Sequence, residues 1–527
     1  MRPSLVGIHR FFDVRLAAPL CFAALAFSIG ACSDANEGSA SPDGGGGAGG
    51  GGGGPWTSGV KIPAEKQELG DAARGKQILL NGSYMSCGVP AKLYDNPVTS
   101  GLVRGTLGGD GELNVPGREG RNAQLPHTIN AFTTSDGAEV MNRNCLGCHS
   151  GKVDGQLIIG LGNAVADFTG GLAGGNTGMT IPDILLGQLG LTDAEKLNFN
   201  KMLRVGRIFG PNTVMRTVGQ NPAEAFTGVL LAHHDPVTLA WSDEPLREVV
   251  YHDGKGGMLA EPKLTSDPPP WWRAKKKTAL FYNGMARGDH RGTMALATGT
   301  CVDDVNEAVR VDALFKDMQA YLVTLEAPVY KRAINAEHAE KGTTLFTANC
   351  AGCHGTYATN PLDDAKDTYP NLLFPLDLIG TDPAVANMGV VHAPEFVDWY
   401  NGSFYGKITR AVPNDPFPGY TAPPLDGVWA TAPYLHNGSV PTIELVLNSK
   451  ARPAVWKRVD YNDSNYDENA LGWPWEKAAY SQADAPAAEK KYIYDSSYWS
   501  QSNAGHTFGD QLTDAERRSV IEYLKTL

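Results

Sequence analysis

At 527 residues the chain is long enough for two or three domains, and 42% hydrophobic content is in the range of a globular protein with sizeable cores. Its formal net charge of −12 excludes nucleic acid as a partner and general adhesion to anionic lipid.

The first predicted element is a secretory leader. Arg2, Arg10 and Arg15 flank or precede an apolar run over 16–29, which closes on Gly30 and Ala31 before Cys32. At about fourteen residues this run is too short to span a membrane comfortably, and no later segment is long and apolar enough to do so. Ile29-Gly30-Ala31-Cys32 resembles the lipobox of bacterial lipoproteins. That resemblance implies a signal peptide over 1–31 and a lipid on Cys32 as the only membrane attachment, placing the protein in a bacterial cell envelope; cleavage with release is the alternative. Removing 1–31, which holds three Arg and one Asp, takes the formal charge from −12 to −14. Residues 32–60, with glycines at 44–47 and 49–54, read as a disordered tether.

Ser135-Asp136-Gly137 leads into 138–144, read as a short helix before Cys145-Leu146-Gly147-Cys148-His149. Glycine-rich 170–178 and proline-rich 268–270 read as loops. A strong helix is predicted over 311–325, where Val311, Leu314, Phe315, Met318, Leu322 and Leu325 recur at helical spacing, with Pro328 marking a boundary. The pattern then repeats: a helix over 336–349, Cys350-Ala351-Gly352-Cys353-His354, and a closing helix over 512–527 opened by the capping box of Thr513 and Glu516. These elements predict a mainly α fold of two domains with large loop insertions, 61–328 and 329–527, the N-terminal one enlarged.

Cys-x-x-Cys-His is the attachment pattern of c-type haem: two thiols on one turn add to one porphyrin, and the next residue's imidazole becomes the proximal iron ligand. Chance placement would give one such pentapeptide in roughly 0.003 chains of this composition. A redox Cys pair or half a zinc site leaves the following histidine unexplained. Two covalent c-type haems are therefore expected, on Cys145, Cys148 and His149 and on Cys350, Cys353 and His354. Cys87 and Cys301 form either a disulfide or two separately buried thiols.

Trp271-Trp272-Arg273 with Lys275, Lys276 and Lys277, then Phe281-Tyr282-Asn283-Gly284 and Arg287-Gly288-Asp289-His290, resembles the di-haem cytochromes related to bacterial rubber oxygenases. So does Pro424-Leu425-Asp426-Gly427-Val428-Trp429 running on to Ala432-Pro433-Tyr434-Leu435-His436-Asn437-Gly438-Ser439; a shorter form of it resembles the wider di-haem cytochrome c peroxidase superfamily. The resemblance implies cytochrome c-like domains in which the haem at His149 reacts with dioxygen or hydrogen peroxide, while a six-coordinate haem at His354 handles electrons. His506, in Asn503-Ala504-Gly505-His506-Thr507, resembles the late ligating histidine of the rubber oxygenases, with Met388, His392 and His436 as competitors. Trp271, Trp272 and Phe281 are candidates for the reactive pocket or an electron path, or for plain core. His233, His234, His252 and His290 are possible distal ligands or ordinary histidines. The three lysines read as a solvated face or a docking patch. The implied partners are a small redox protein or an apolar polymer or lipid substrate, and a non-catalytic electron carrier is the contrasting class.

Overall fold

The computed structural model describes residues 55–107, 111–172, 183–261, 263–358 and 367–527. The predicted leader, Cys32, the glycine runs of the tether and residues 173–178 lie outside them. Among the described residues, no helix is long and apolar enough to cross a membrane.

Two helix pairs frame the molecule, and both cross through a glycine. Ala72–Asn81 is capped by Asp71, whose carboxylate accepts from Arg74 N at 2.7 Å, and it buries Leu79 and Leu80. It packs on Val305–Leu322, which turns Val311, Phe315, Met318 and Leu322 into the core. A Cβ on Gly75 would overlap the Asp317 carbonyl, so only glycine allows this approach. The second pair repeats the device: Ala336–Asn349 meets Asp514–Leu524, and a Cβ on Gly342 would overlap the Ser519 carbonyl. The predicted capping box is present, with Thr513 N donating to Glu516 at 2.7 Å and Glu516 N to Thr513 Oγ1 at 3.3 Å.

The expectation of a mainly α fold is overturned. Among the described residues 36% are helix and 13% strand, the strands forming five small sheets, so the fold is mixed α/β. The stretch 138–144 is not a helix: Glu139–Arg143 is the middle strand of a sheet, paired with Ile129–Thr133 on one side and Val89–Pro90 on the other. Ser135-Asp136-Gly137, read as a helix lead-in, is the hairpin turn between two of these strands; Gly137 sits at φ +87° and Ala138 N donates to the Thr134 hydroxyl at 3.0 Å. A second hairpin, Ser150–Val153 with Gln156–Ile159, turns on Asp154 and Gly155, both at positive φ. That is the geometry an Asp-Gly pair favours between two strands.

Two large apolar clusters each draw on both halves of the chain. One gathers Leu79, Met141, Leu146 and Phe315 with Phe396 and Trp399; the other gathers Phe346, Trp429, Val520 and Leu524 with Val153, Leu161 and Trp272. Cys87 and Cys301, both fully buried, are joined by a disulfide across 214 residues of sequence.

Gly342→Ala is expected to force the second helix pair apart, lowering stability by about 1–3 kcal/mol, the usual scale of overpacking. Thermal melts of the variant and the parent measure it, and coincident melts would show that the crossing is not close.

Candidate functional site

The second Cys-x-x-Cys-His unit caps the helix Ala336–Asn349. Cys350 leaves helical geometry, Ala351–His354 adds one turn, and Gly355 at φ +84° redirects the chain where a Cβ would overlap the Thr368 carbonyl. His354 Nδ1 donates to the Pro423 carbonyl at 2.8 Å. That bond fixes the tautomer and leaves Nε2 as the ring's free electron-pair donor.

Facing His354 is His506, whose position is set by backbone. Gly505, at φ +74°, lies so close to Gly380 and Thr381 that no Cβ fits, and His506 N donates to the Ile379 carbonyl at 2.7 Å. Arg452 gathers the loop: Nη1 donates to the carbonyls of Asn503 and Gly505, both at 2.7 Å, and Nη2 to those of His506 at 3.1 Å and Val446 at 3.0 Å. The two imidazole centroids are 6.3 Å apart with planes at 61°. Between them opens a cleft of about 210 Å³ lined by Cys350, Cys353, His354 and His506 together with apolar side chains such as Leu378, Val446 and Leu524.

Burial holds this cleft neutral. It pushes the His506 imidazole down to about 3, with His354 and Arg452 adding to the effect, and lowers His354 as well. It raises the thiols of Cys350 to about 12 and Cys353 to about 11. Two neutral imidazoles and two thiols around an apolar gap are the donor set a c-type haem requires. Imidazoles on opposite faces of one metal, with bonds of about 2 Å each, hold their ring centres roughly 6 Å apart, which the observed separation meets. His506 Nδ1 is buried without a hydrogen-bond partner. His436 also lines the cleft, but it stacks on Tyr420 at 4.3 Å and its Nε2 meets the Tyr420 hydroxyl at 3.1 Å. Met388 and His392 do not line this cleft: His392 Nδ1 donates to the His252 carbonyl at 2.7 Å and the ring meets Trp499.

The first unit is presented differently. Cys145–Gly147 is a single 3-10 turn between strands, opened by Asn144, whose side chain accepts from Leu146 N at 2.9 Å. Asn163 ties the turn from outside, its Nδ2 donating to the Gly147 carbonyl at 2.9 Å and its N to that of Cys148 at 2.9 Å. Burial pushes the Cys145 thiol up to about 12 and the His149 imidazole down to about 4, the Pro269 carbonyl pulling weakly the other way. Trp271 stacks on His149 with centroids 4.7 Å apart, held there by its N–H to the Gly160 carbonyl at 2.8 Å.

Other candidates disperse. Trp272 is buried in the second cluster with its indole N–H on the Asp426 carbonyl at 2.8 Å, and Phe281, at φ +63°, lines a separate cavity of about 60 Å³. His233 and His234 bond the carbonyls of Ser242 and Val302, at 2.8 and 2.9 Å, and His252 lies 3.6 Å from Glu395. His290 is buried with Nε2 unpartnered. The three lysines are not a solvated face: Lys275 pairs with Glu326 at 2.8 Å, Lys276 pairs with Asp367 at 2.5 Å and with Asp426 at 2.6 Å, and Lys277 is half-buried. Sequence reasoning missed Arg452, since a lone arginine before a proline carries no local signal; Gly505, beside His506, did carry one.

The RoxA-like, cytochrome c-like family matches residues 419–457, which contribute Tyr420, Pro433, Tyr434 and His436 to the cleft wall. This supports a relation to the cytochrome c family, and such a domain implies covalently bound haem and electron transfer. The chain is 27% identical over 255 residues to the uncharacterized protein y4iJ of Sinorhizobium fredii (strain NBRC 101917 / NGR234), covering 37% of this chain and 39% of that one. It is 25% identical over 300 residues to y4iM of the same organism, covering 50% and 64%. The matched region is thus less than two thirds of either relative.

Burial depresses four further histidines, among them His234 and His290 to about 4 and His436 to about 3, with His127 lowered as well. The unfolded chain takes up their protons below about 6.5 while the folded chain does not, so stability is greatest above that pH and falls as acid is added. The expected slope is at most about 1.4 kcal/mol per pH unit for each histidine. Urea melts at pH 7.5 and 5.0 test this; His436→Gln should flatten the dependence, and an identical slope in that variant would refute the assignment.

Proposed function

We propose that this chain is a di-haem c-type cytochrome with oxidoreductase activity, working in the bacterial cell envelope, with one haem on Cys145 and Cys148 and a second on Cys350 and Cys353. What carries the reading is the cleft in which both thiols of the second unit face two opposed imidazoles 6.3 Å apart. Haem bound at these sites supplies one-electron chemistry and, where a coordination position stays open, reaction with dioxygen or peroxide.

The chain's own residues divide the labour between the sites. His354, oriented by the Pro423 carbonyl, and His506, fixed by Gly505 and Arg452, would both hold the iron of the second haem, which suits electron transfer. Among the described residues the ring packed on His149 is that of Trp271 and not an imidazole, and of the candidate distal histidines His233 and His234 bond backbone carbonyls and His252 lies beside Glu395. This favours an open position at the first site, and with it reduction of hydrogen peroxide using electrons from a small redox protein, or dioxygen-dependent attack on an apolar polymer or lipid. Trp271 packs on His149, and its chain neighbour Trp272 lies in the second core.

Replacing Cys145 and Cys148, or Cys350 and Cys353, by alanine should each halve the covalent haem per chain in a pyridine haemochrome assay. His506→Ala should abolish the low-spin bis-imidazole signal in electron paramagnetic resonance while a high-spin, ligand-accessible signal persists. Two inert low-spin irons in the parent protein would leave electron transfer alone as the function, and an untouched low-spin signal in His506→Ala would remove that ligand.

A further inference from the structure

We propose that Arg273 is the anion anchor of the second cleft, its free Nη2 receiving a propionate carboxylate of the porphyrin held by Cys350 and Cys353. This rests on the di-haem reading above and concerns a residue that neither the thiol pattern nor the axial ligands explain. Arg273 lies on the six-residue 3-10 turn Trp271–Lys276, is only 7% exposed, and lines the same cleft as Cys350, Cys353, His354 and His506.

Its guanidinium is half satisfied. Nε donates to the Asp426 carbonyl at 3.0 Å, but Nη2 is buried with no hydrogen-bond partner, and Arg273 forms no ion pair among the described residues. The nearby carboxylates make no hydrogen bond to it. Asp426 favours the Arg273 charge from a distance, but its Oδ1 is taken by Lys276 at 2.6 Å and its Oδ2 is buried without a hydrogen-bond partner; the Asp267 carboxyl, on the cleft wall, is driven by burial toward its neutral form. Lys277 lies close enough to Arg273 for the two cations to disfavour each other. Arg273 thus places a cation with an unbonded Nη2 on the wall of an otherwise apolar cleft, a donor that an anion arriving with the ligand would satisfy. A carboxylate matches a guanidinium edge in charge and donor geometry, and a porphyrin's only anionic groups are its carboxylates.

The test uses the haem-loaded full chain and reads the midpoint potential of the low-spin haem by spectropotentiometry. Removing a cation beside the iron favours the more positive, oxidised state, so Arg273→Gln should shift that midpoint to lower potential, with Arg273→Lys in between. Unchanged midpoints in an Arg273→Gln protein carrying its full haem would overturn the proposal. Should Arg273→Gln fail to fold, resonance Raman of the parent protein decides instead: a propionate bending mode at the frequency of a strongly hydrogen-bonded carboxylate supports the anchor, and one at the solvent-exposed frequency overturns it. Absence of covalent haem at Cys350 and Cys353 in the parent is a separate result, which overturns the di-haem reading itself.

Discussion

Keeping two neutral imidazoles on opposite sides of an apolar gap is the constraint around which the C-terminal half is organised. Nothing between His354 and His506 in the protein holds them apart, so each ring must be fixed from behind. For His354 this is done by a helix end and one carbonyl; for His506 it is done by a loop whose carbonyls Arg452 gathers. One guanidinium bonded to the carbonyls of Leu445, Val446, Asn503, Gly505 and His506 holds that loop as a wall of the cleft. Burial lowers its pKa only to about 10, so it remains charged at neutral pH and every one of those bonds is charge-assisted.

The helix pairs supply the frame to which these walls attach. Asp514–Leu524 contributes Val520 and Leu524 to the cleft lining, and its crossing with Ala336–Asn349 at Gly342 sets how far the Cys350 turn stands from them. The equivalent crossing at Gly75 joins Ala72–Asn81 to Val305–Leu322 in the N-terminal half. There, however, the helix does not run into the Cys145 turn: the sheet containing Glu139–Arg143 intervenes. The same Cys-x-x-Cys-His spacing is thus presented once by a helix end and once by a hairpin strand, because the spacing constrains only one turn of chain.

That is also why the sequence was a sound guide before the second motif and misled before the first, although the helix expected over 311–325 is present as Val305–Leu322. The helix over 336–349 and the closing helix were legible because periodicity, the Thr513 cap and the motif agreed. Over 135–144 they conflicted: Ser135-Asp136-Gly137 suits a helix start and a hairpin turn alike, and pairing with Ile129–Thr133, a contact with another segment, decided for the strand. The opposition of His354 and His506 spans 152 residues (506 minus 354), and a spacing of that length carries no local signal of which imidazole faces which. Arg452 and Arg273 were illegible as site residues for the same reason, since what distinguishes them is which carbonyls or cleft they meet in space.

The turn Trp271–Lys276 shows how closely the two sites are tied. Trp271 lies on His149, Trp272 anchors to Asp426 in the second core, Arg273 borders the second cleft, and Lys276 binds Asp367 and Asp426. Successive residues of one rigid turn therefore touch both environments, and the apolar clusters on either side each include segments from the opposite half. A hinge motion between the halves would have to break this turn's contacts and open both cores at once. Relative motion of the two sites is accordingly opposed, because the turn is anchored at both ends, Trp271 by the Gly160 carbonyl and Lys276 by Asp367 and Asp426.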